Sequence, residues 1–271
     1  MINTASINAN NIIYKIVHTP ILRYRFAMIG RRMTPRRRGS RAEIATPSRV
    51  LALNISVAER IATSLEEDIV LGRCHPRARL VEQDLCDRFN THRGDVRRAL
   101  FELEKKGIVQ RIPNRGAIVR DLTPKEVLEI YAVREELEVM AVRILPFPVT
   151  VSSIAELEKI QERHSAAIEK DDMLAVFYAN LQFHQTLFTL CGNACLIETI
   201  KTLEQKVYGI RFYANALPQA LERARRDHVD MIKALRNSGR NELIKLTRQH
   251  LKPSPQAYIR AYERRFGGVT H

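Results

Sequence analysis

The chain has 271 residues, which is long enough for two domains that each bury a core. Its 44 lysines and arginines outnumber 30 acidic residues and give a formal net charge of +14, which favours a polyanionic partner. No run of about eighteen apolar residues occurs, which excludes a membrane-spanning helix. Four cysteines without C-x-x-C spacing indicate free thiols in a reducing compartment, so we expect a cytoplasmic protein.

The first 54 residues lack sustained periodicity. Residues 1–50 carry ten lysines and arginines but a single acidic residue, Glu43, so the rest of the chain is only mildly basic. We predict a flexible, basic N-terminal extension over residues 1–54. An arm that touches DNA, a solvated charge run, a mis-assigned start and a cleaved targeting sequence all remain compatible with this composition.

A capping box marks the start of the first predicted helix. Ser56 and Glu59, three positions apart, can each satisfy the other's free backbone N–H group. Apolar residues at helical spacing follow, and Gly72 is a typical C-terminal signal. These apolar residues are Ala58, Ile61, Ala62, Leu65, Ile69 and Val70.

Two short helices with a polar connection come next. Residues 80–89 have apolar positions at helical spacing, and residues 90–100 begin a second helix that ends at Gly107. On this second helix Arg93 and Arg97 lie four residues apart, so they project together from a side other than the apolar face. The apolar face contains Val96, Leu100 and Leu103. The pattern is typical of a helix-turn-helix whose second helix enters the major groove.

A hairpin follows the helix-turn-helix. Residues 108–112 alternate in polarity, Pro113 to Gly116 form a turn, and residues 117–119 are apolar. Strand, glycine-containing turn and strand predict a wing. We therefore predict a winged helix-turn-helix domain over residues 55–121.

From Thr123 onward the pattern is helical. Thr123 and Glu126 form a second capping box, with proline at the first helical position. The predicted helices run to about residue 145, from 153 to 170, and over roughly 172–190, 194–215, 218–237 and 240–266. Pro253 and Pro255 must kink or end the last helix just after His250. We predict an all-helical antiparallel bundle over residues 122–271, so the fold class is mainly α.

Several motifs in a fixed order carry a family resemblance. They are Leu80-Val-Glu-x-x-Leu, Arg93-x-x-Val-Arg97-x-Ala-Leu, Leu103-x-x-x-Gly107, Pro113-Asn-Arg-Gly116-Ala-x-Val119 and Arg134-x-x-Leu-Glu138. With them the chain resembles GntR-family bacterial transcription regulators of the FadR-like subgroup that carry an FCD effector domain. The resemblance implies a homodimer that binds a palindromic operator in double-stranded DNA, as a repressor or an activator. It also implies control by a small-molecule effector, for which we expect an organic acid.

The resemblance assigns operator contacts to Arg93 and Arg97, and the wing tip that approaches the minor groove to Gly116. An arginine can pair bidentately with guanine or clamp a phosphate, and a glycine lets the backbone come close to DNA. Three further residues are candidates for phosphate contacts: Arg98, Asn114 and Arg115. The chain departs from the family at Gln83, where an arginine is usual, and this departure puts the operator sequence in doubt.

Histidines of the helical part match the family's metal ligands. Asn180 and His184 lie four residues apart on one helix, and His228 and His250 lie on two others. Imidazoles from three helices of a bundle can hold a first-row metal, and we expect Zn, Ni or Mn. Because Asn180 is neutral where the family also uses aspartate, we expect weaker metal retention and a stronger pull on an anionic ligand.

Arg211, with Tyr208 and Tyr213 nearby in sequence, is a candidate anchor for an effector carboxylate, although a surface arginine beside packed tyrosines is equally compatible. We interpret Arg134 and Glu138 as a structural ion pair and give His164 no role.

Two other functions are alternatives to a metal-containing, ligand-responsive regulator. One is a metal-free regulator whose histidines are structural. The other is a metal-dependent hydrolase, for which the chain has no H-E-x-x-H arrangement and which leaves the winged domain unexplained. We expect no enzymatic activity.

Overall fold

The computed structural model describes residues 55–215, 217–237 and 239–266, so the predicted basic extension lies outside the described residues. The N-terminal part of the described chain contains three helices and three strands. They are α1 (Val57–Val70), β1 (Arg79–Leu80), α2 (Glu82–Phe89), α3 (Arg93–Lys105), β2 (Val109–Ile112) and β3 (Gly116–Val119). The predicted hairpin is confirmed, and β1 is an addition: it pairs antiparallel with β3, which gives the strand order β1-β3-β2.

The rest of the described chain is helical. Its helices are α4 (Pro124–Ile144), α5 (Val151–Glu169), α6 (Met173–Thr189), α7 (Ala194–Lys206), α8 (Tyr208–Asn215), α9 (Pro218–Arg236), α10 (Arg240–Leu251) and α11 (Pro253–Phe266). The helix predicted over residues 194–215 is in fact two, α7 and α8. The break predicted after His250 is confirmed, since α10 ends at Leu251 and α11 begins at Pro253. No described helix has the length and apolar character needed to cross a bilayer.

Both predicted capping boxes are present. Ser56 N–H donates to Glu59 Oε2 at 2.7 Å while Glu59 N–H donates to Ser56 Oγ at 3.2 Å, and Thr123 and Glu126 repeat the exchange at the start of α4. The start predicted for α5 at Ser153 is wrong by a few residues. Thr150 is the N-cap, because its hydroxyl accepts the N–H of Ser153 at 3.2 Å.

The apolar face of α3 packs against α1. Val96 and Leu100 are at most 1% exposed and share one hydrophobic cluster with Leu65 of α1. Two aromatic residues from the helical part, Phe177 of α6 and Tyr208 of α8, belong to the same cluster. The core beneath α3 therefore includes side chains from both parts of the described chain.

The connection between β3 and α4 is held by the last helix. The side chain of Asp121 is only 4% exposed, and its carboxylate accepts hydrogen bonds from Arg77 Nε at 2.7 Å, Tyr258 Oη at 2.9 Å and Arg265 Nη2 at 3.3 Å. The Arg77 guanidinium also lies 4.5 Å from the ring centre of Phe266. Because α11 supplies Tyr258, Arg265 and Phe266, this helix stabilises the linker that joins the winged part to the bundle.

Gly116 lies at the start of β3, paired with Ile112, and not at the tip of the wing. Its φ is +104°, and a Cβ placed there would come within 2.0 Å of the carbonyl oxygen of Leu80. The structural reason for glycine is thus the close approach of β1 and a left-handed backbone, which corrects our interpretation of this residue as the tip. The tip is formed by Asn114, with φ +58°, and Arg115, both exposed.

We expect Gly116→Ala to destabilise the protein by at least ~1–3 kcal/mol, because both the φ angle and the Leu80 carbonyl oppose a methyl group. Gly94→Ala is the matched control: Gly94 lies in α3 with nothing within 4 Å of a built Cβ, so alanine should stabilise the protein by ~0.5–1 kcal/mol. Thermal unfolding of the two variants tests this. Equal melting temperatures of Gly116→Ala and Gly94→Ala would contradict the close approach of Gly116 to Leu80 in the sheet.

Candidate functional site

Helix α3, the second helix of the helix-turn-helix and here called the recognition helix, presents its predicted arginines to solvent. Arg93 is the first residue of α3 and Arg97 lies one turn later. Both side chains are exposed, whereas Val96 and Ala99 of the same helix are buried. The structure therefore brings Arg93 and Arg97 together on one open face.

Each of these arginines contacts a side chain of α2. Arg97 Nε donates to both carboxylate oxygens of Glu82, at 3.1 and 3.0 Å, and Arg93 Nη2 donates to Gln83 Oε1 at 3.1 Å. Arg98 pairs with Asp95 of its own helix. Hydrogen bonds from Thr91 and Arg98 hold the pKa of Asp95 below its ordinary value, so an ionised carboxylate lies in the first turn of α3, where the helix dipole favours a negative charge.

Three histidines form the predicted cluster in the helical part. Atoms that could act as ligands on His184, His228 and His250 all lie within 4.8 Å of one another. The Nε2 atoms of His184 and His250 are 3.0 Å apart, and the ring of His228 stacks on Phe183 with a centroid distance of 4.0 Å. His228 is fully buried and His184 nearly so.

Two neighbouring side chains orient these rings, and sequence analysis missed both. His228 Nδ1 lies 2.8 Å from Gln161 Oε1, and His250 Nδ1 lies 3.1 Å from Asp227 Oδ2. Each contact favours a proton on Nδ1, which leaves Nε2 with its lone pair free. Gln161 is far from His228 in sequence, and Asp227 is far from His250. Sequence spacing therefore gave no signal for either contact.

Burial favours the neutral form of two of these histidines, His184 and His228. Desolvation lowers the pKa of His184 and of His228 well below the ordinary value for histidine. A neutral imidazole is the form that binds a metal. The Nε2 atom of His228 is buried without a hydrogen-bond partner, as is Nδ1 of His184. An unpartnered buried acceptor facing two other imidazoles fits a bound cation, so the donor set fits a divalent metal held by His184, His228 and His250.

His164 belongs to the same neighbourhood, although sequence analysis gave it no role. Its ring centre lies 5.1 Å from that of His228, and burial lowers the pKa of His164 to about 4. Its Nδ1 atom is also buried without a partner. His164 lies one turn after Gln161 on α5, so the spacing indicates that the two residues share one face of that helix.

A small cleft, with a cavity volume of about 70 Å³, adjoins the histidines. Asn180, His184 and His250 line it, and Asn180 lies one turn before His184 on α6. Further polar and apolar lining comes from Tyr131, Arg134, Phe177, Arg211 and Asp227.

Two arginines of the cleft are part of a buried charge network. Arg134 donates from Nη2 to Glu138 at 2.8 Å and lies 3.7 Å from Glu204, and Arg211 Nη2 donates to the same Glu204 oxygen at 3.1 Å. The predicted Arg134–Glu138 pair is therefore present, but Arg134 also lines the cleft. The Nη1 group of Arg211 is buried without a partner, which leaves it available to an anionic ligand.

Of the three predicted effector residues, the structure brings only Arg211 to the cleft. Tyr208 packs edge-to-face on Phe177 at 5.2 Å, and Tyr213 packs on Tyr258 at 5.1 Å. The prediction for these tyrosines relied on nearness in sequence. Residues two apart on a helix, such as Arg211 and Tyr213, point in nearly opposite directions.

Comparison with protein families covers both parts of the described chain. The model of the gntR family of bacterial regulatory proteins matches residues 57–119. The FCD domain model matches residues 129–253. The first match contains α1 to β3, and the second contains the three histidines and both arginines of the cleft.

Individual relatives agree with this assignment. The HTH-type transcriptional repressor RspR of Escherichia coli (strain K12) is 27% identical over 196 residues, which are 72% of this chain and 86% of that protein. The gluconate operon transcriptional repressor of Bacillus licheniformis is 26% identical over 200 residues, 72% of this chain and 82% of that protein. The solved structure of E. coli McbR/YncC shares the fold, with a TM-score of 0.67 and 22% identity over 77% of this chain and 99% of that one.

Proposed function

The chain belongs to the GntR family of bacterial regulatory proteins and is a transcription regulator with an FCD domain. From that premise we propose that it acts in the cytoplasm as a homodimer on a palindromic operator, and that a small acidic effector bound beside a metal ion in the helical domain changes its operator affinity. The observation that carries the proposal is the open face of α3, where Arg93 and Arg97 stand exposed on a helix whose other face is buried. An α-helix of this kind fits the major groove, and arginine pairs well with guanine.

We expect Arg97→Ala to lose ~1–3 kcal/mol of discrimination between the preferred operator and a single-base variant, because a bidentate contact to a base is removed. Quantitative gel shifts on sequences selected from random DNA would measure the loss. Lys105→Ala is the control, since Lys105 lies at the far end of α3 and pairs with Glu102. Unchanged sequence preference in Arg97→Ala would count against this assignment.

The buried histidine cluster supports the proposed metal site. His184, His228 and His250 would hold the ion through Nε2, and Asn180 lines the same cleft. Such an ion supplies a positive charge that attracts the carboxylate of an effector. Arg211 Nη1, buried and unpartnered, offers a second anchor for the same ligand. Zn, Ni and Mn are the candidates, and histidines that serve only as packing remain the alternative.

The purified protein should bind about one divalent ion per chain, measured by equilibrium dialysis and elemental analysis. His228→Ala should lose most of this binding, and His75→Ala, which removes an exposed histidine, should retain it. Asn180→Asp should bind the ion more tightly because it adds a negative charge. Equal metal content in wild type and His228→Ala would favour the structural role for the histidines.

The proposed dimer has a candidate interface on α4. Val133, Met140 and Ile144 share one side of the helix, and they are 52%, 43% and 41% exposed. Leu137, half-buried, lies between them on the same side. An apolar strip of this kind favours burial against another protein surface, and a second copy would also give the two-fold symmetry that a palindromic operator requires.

Wild-type protein should therefore have a mass in solution near twice the 31.2 kDa of one chain. Met140→Glu should shift it towards the monomer, because a charge placed in an apolar interface is costly. Leu128→Glu is the matched control, since Leu128 is 57% exposed on another side of α4. Light scattering after size exclusion measures the mass, and a dimer unaffected by Met140→Glu would place the interface elsewhere.

The relatives support repression as the direction of control. Two of them, from E. coli and B. licheniformis, are named as repressors, and the second is named for the gluconate operon. A sugar acid or another organic acid is a reasonable first ligand to test here. Such a ligand would alter operator affinity only through different affinities for two arrangements of the winged domains, typically ~1–3 kcal/mol.

A further inference from the structure

The two arginines of α3 are held by chemically different partners on α2. Glu82 accepts the Nε–H of Arg97 with both carboxylate oxygens, whereas Gln83 accepts one Nη2 hydrogen of Arg93 through its amide oxygen. The amide nitrogen of Gln83 in turn donates to Asp87 Oδ1 at 3.0 Å. One arginine therefore has an anion directly against it, and the other has a neutral group.

The contact with Glu82 fixes how Arg97 can be used. Glu82 occupies only the Nε edge of the guanidinium, and within the described residues neither Nη nitrogen of Arg97 has a hydrogen-bond partner. Two parallel Nη donors are the group that matches O6 and N7 of guanine. The paired carboxylate also cancels the charge of Arg97, which weakens its attraction to phosphates.

Glu82 is well placed to keep this arrangement when DNA approaches. Its side chain is only 13% exposed, compared with 53% for Arg97. It is the first residue of α2, where the helix dipole favours a negative charge. An exposed ion pair contributes little stability by itself, but two acceptors on one Nε and a largely buried carboxylate restrict the orientation of the guanidinium.

Arg93 has the opposite character. Gln83 orients its guanidinium without cancelling its charge, and Arg93 lies at the first position of α3. A charged donor at the entry of the recognition helix suits a phosphate of the DNA backbone.

We propose that Glu82 is a specificity-determining positioning residue. It orients Arg97 towards a base edge and neutralises the charge of Arg97, so that Arg97 is only weakly attracted to phosphates. Arg93, held by Gln83, keeps its charge and contacts the DNA backbone. This inference rests on the proposed DNA-binding function. It predicts that removal of the Glu82 carboxylate makes the regulator bind DNA more tightly and less selectively.

The test uses the full-length protein with Glu82→Gln and, as a second variant, Glu82→Ala. Binding to a random-sequence duplex is measured over a series of salt concentrations, and base preference is measured by selection from random DNA. Both variants should bind random DNA more tightly, with a salt dependence steeper by about one phosphate contact per chain, or ~0.9 in the log–log slope. Discrimination at one base pair of each half-site should fall about tenfold.

Glu102→Gln is the matched control, because it removes the same charge from α3 next to Lys105 and away from both arginines. It should leave the selected sequence unchanged. Arg93→Ala should lower the salt slope by about one contact per chain and weaken binding to all sequences alike.

The proposal is overturned if wild type selects a sequence and both Glu82 variants select the same one with the same stringency. It is also overturned if the Glu82 variants weaken binding to all DNA equally. A wild-type protein that binds no duplex at any salt concentration is a different result, because it refutes the DNA-binding function itself.

Discussion

The packing of α3 against α1 is the constraint on which the DNA-facing surface depends. Val96 and Leu100 are essentially inaccessible to solvent, and they share a core with Leu65. A helix that buries one side in this way cannot rotate about its axis, so Arg93 and Arg97 are confined to the solvent side. The two arginines then differ in their contacts with α2, a carboxylate for Arg97 and an amide for Arg93.

The same core extends towards the cleft of the helical part. Phe177 lines the cleft and also belongs to the cluster beneath α3, and Tyr208 packs on its ring. Arg211 follows Tyr208 by one turn of α8, and Gly209 between them leaves little room beside Ile69 of α1. Phe177 and Tyr208 thus lie between the cleft and the rest of the core of the winged part. Close-packed layers of this kind transmit displacements and do not absorb them.

Sequence patterns predicted most of the architecture but only part of the site. Capping boxes and apolar periodicity located α1 and α4, because these signals are local. The two-residue strand β1 was missed, since only its pairing with β3 makes it a strand. Asp227 and Gln161 were missed for a similar reason: their relation to His250 and His228 exists only after helices distant in sequence have packed. Tyr213 was misplaced because nearness along the chain ignored the direction of the side chain.

The fastening of the linker by α11 has a consequence for the order in which the molecule is completed. Asp121 is separated by 137 residues from Tyr258 and by 144 from Arg265. While the chain is being translated, α1 to β3 leave the ribosome long before these partners exist. A prematurely terminated product that stops before α11 would still contain every strand and helix of the winged part. Its linker carboxylate, however, would lack two of the three groups that neutralise or hydrogen-bond it in the finished protein.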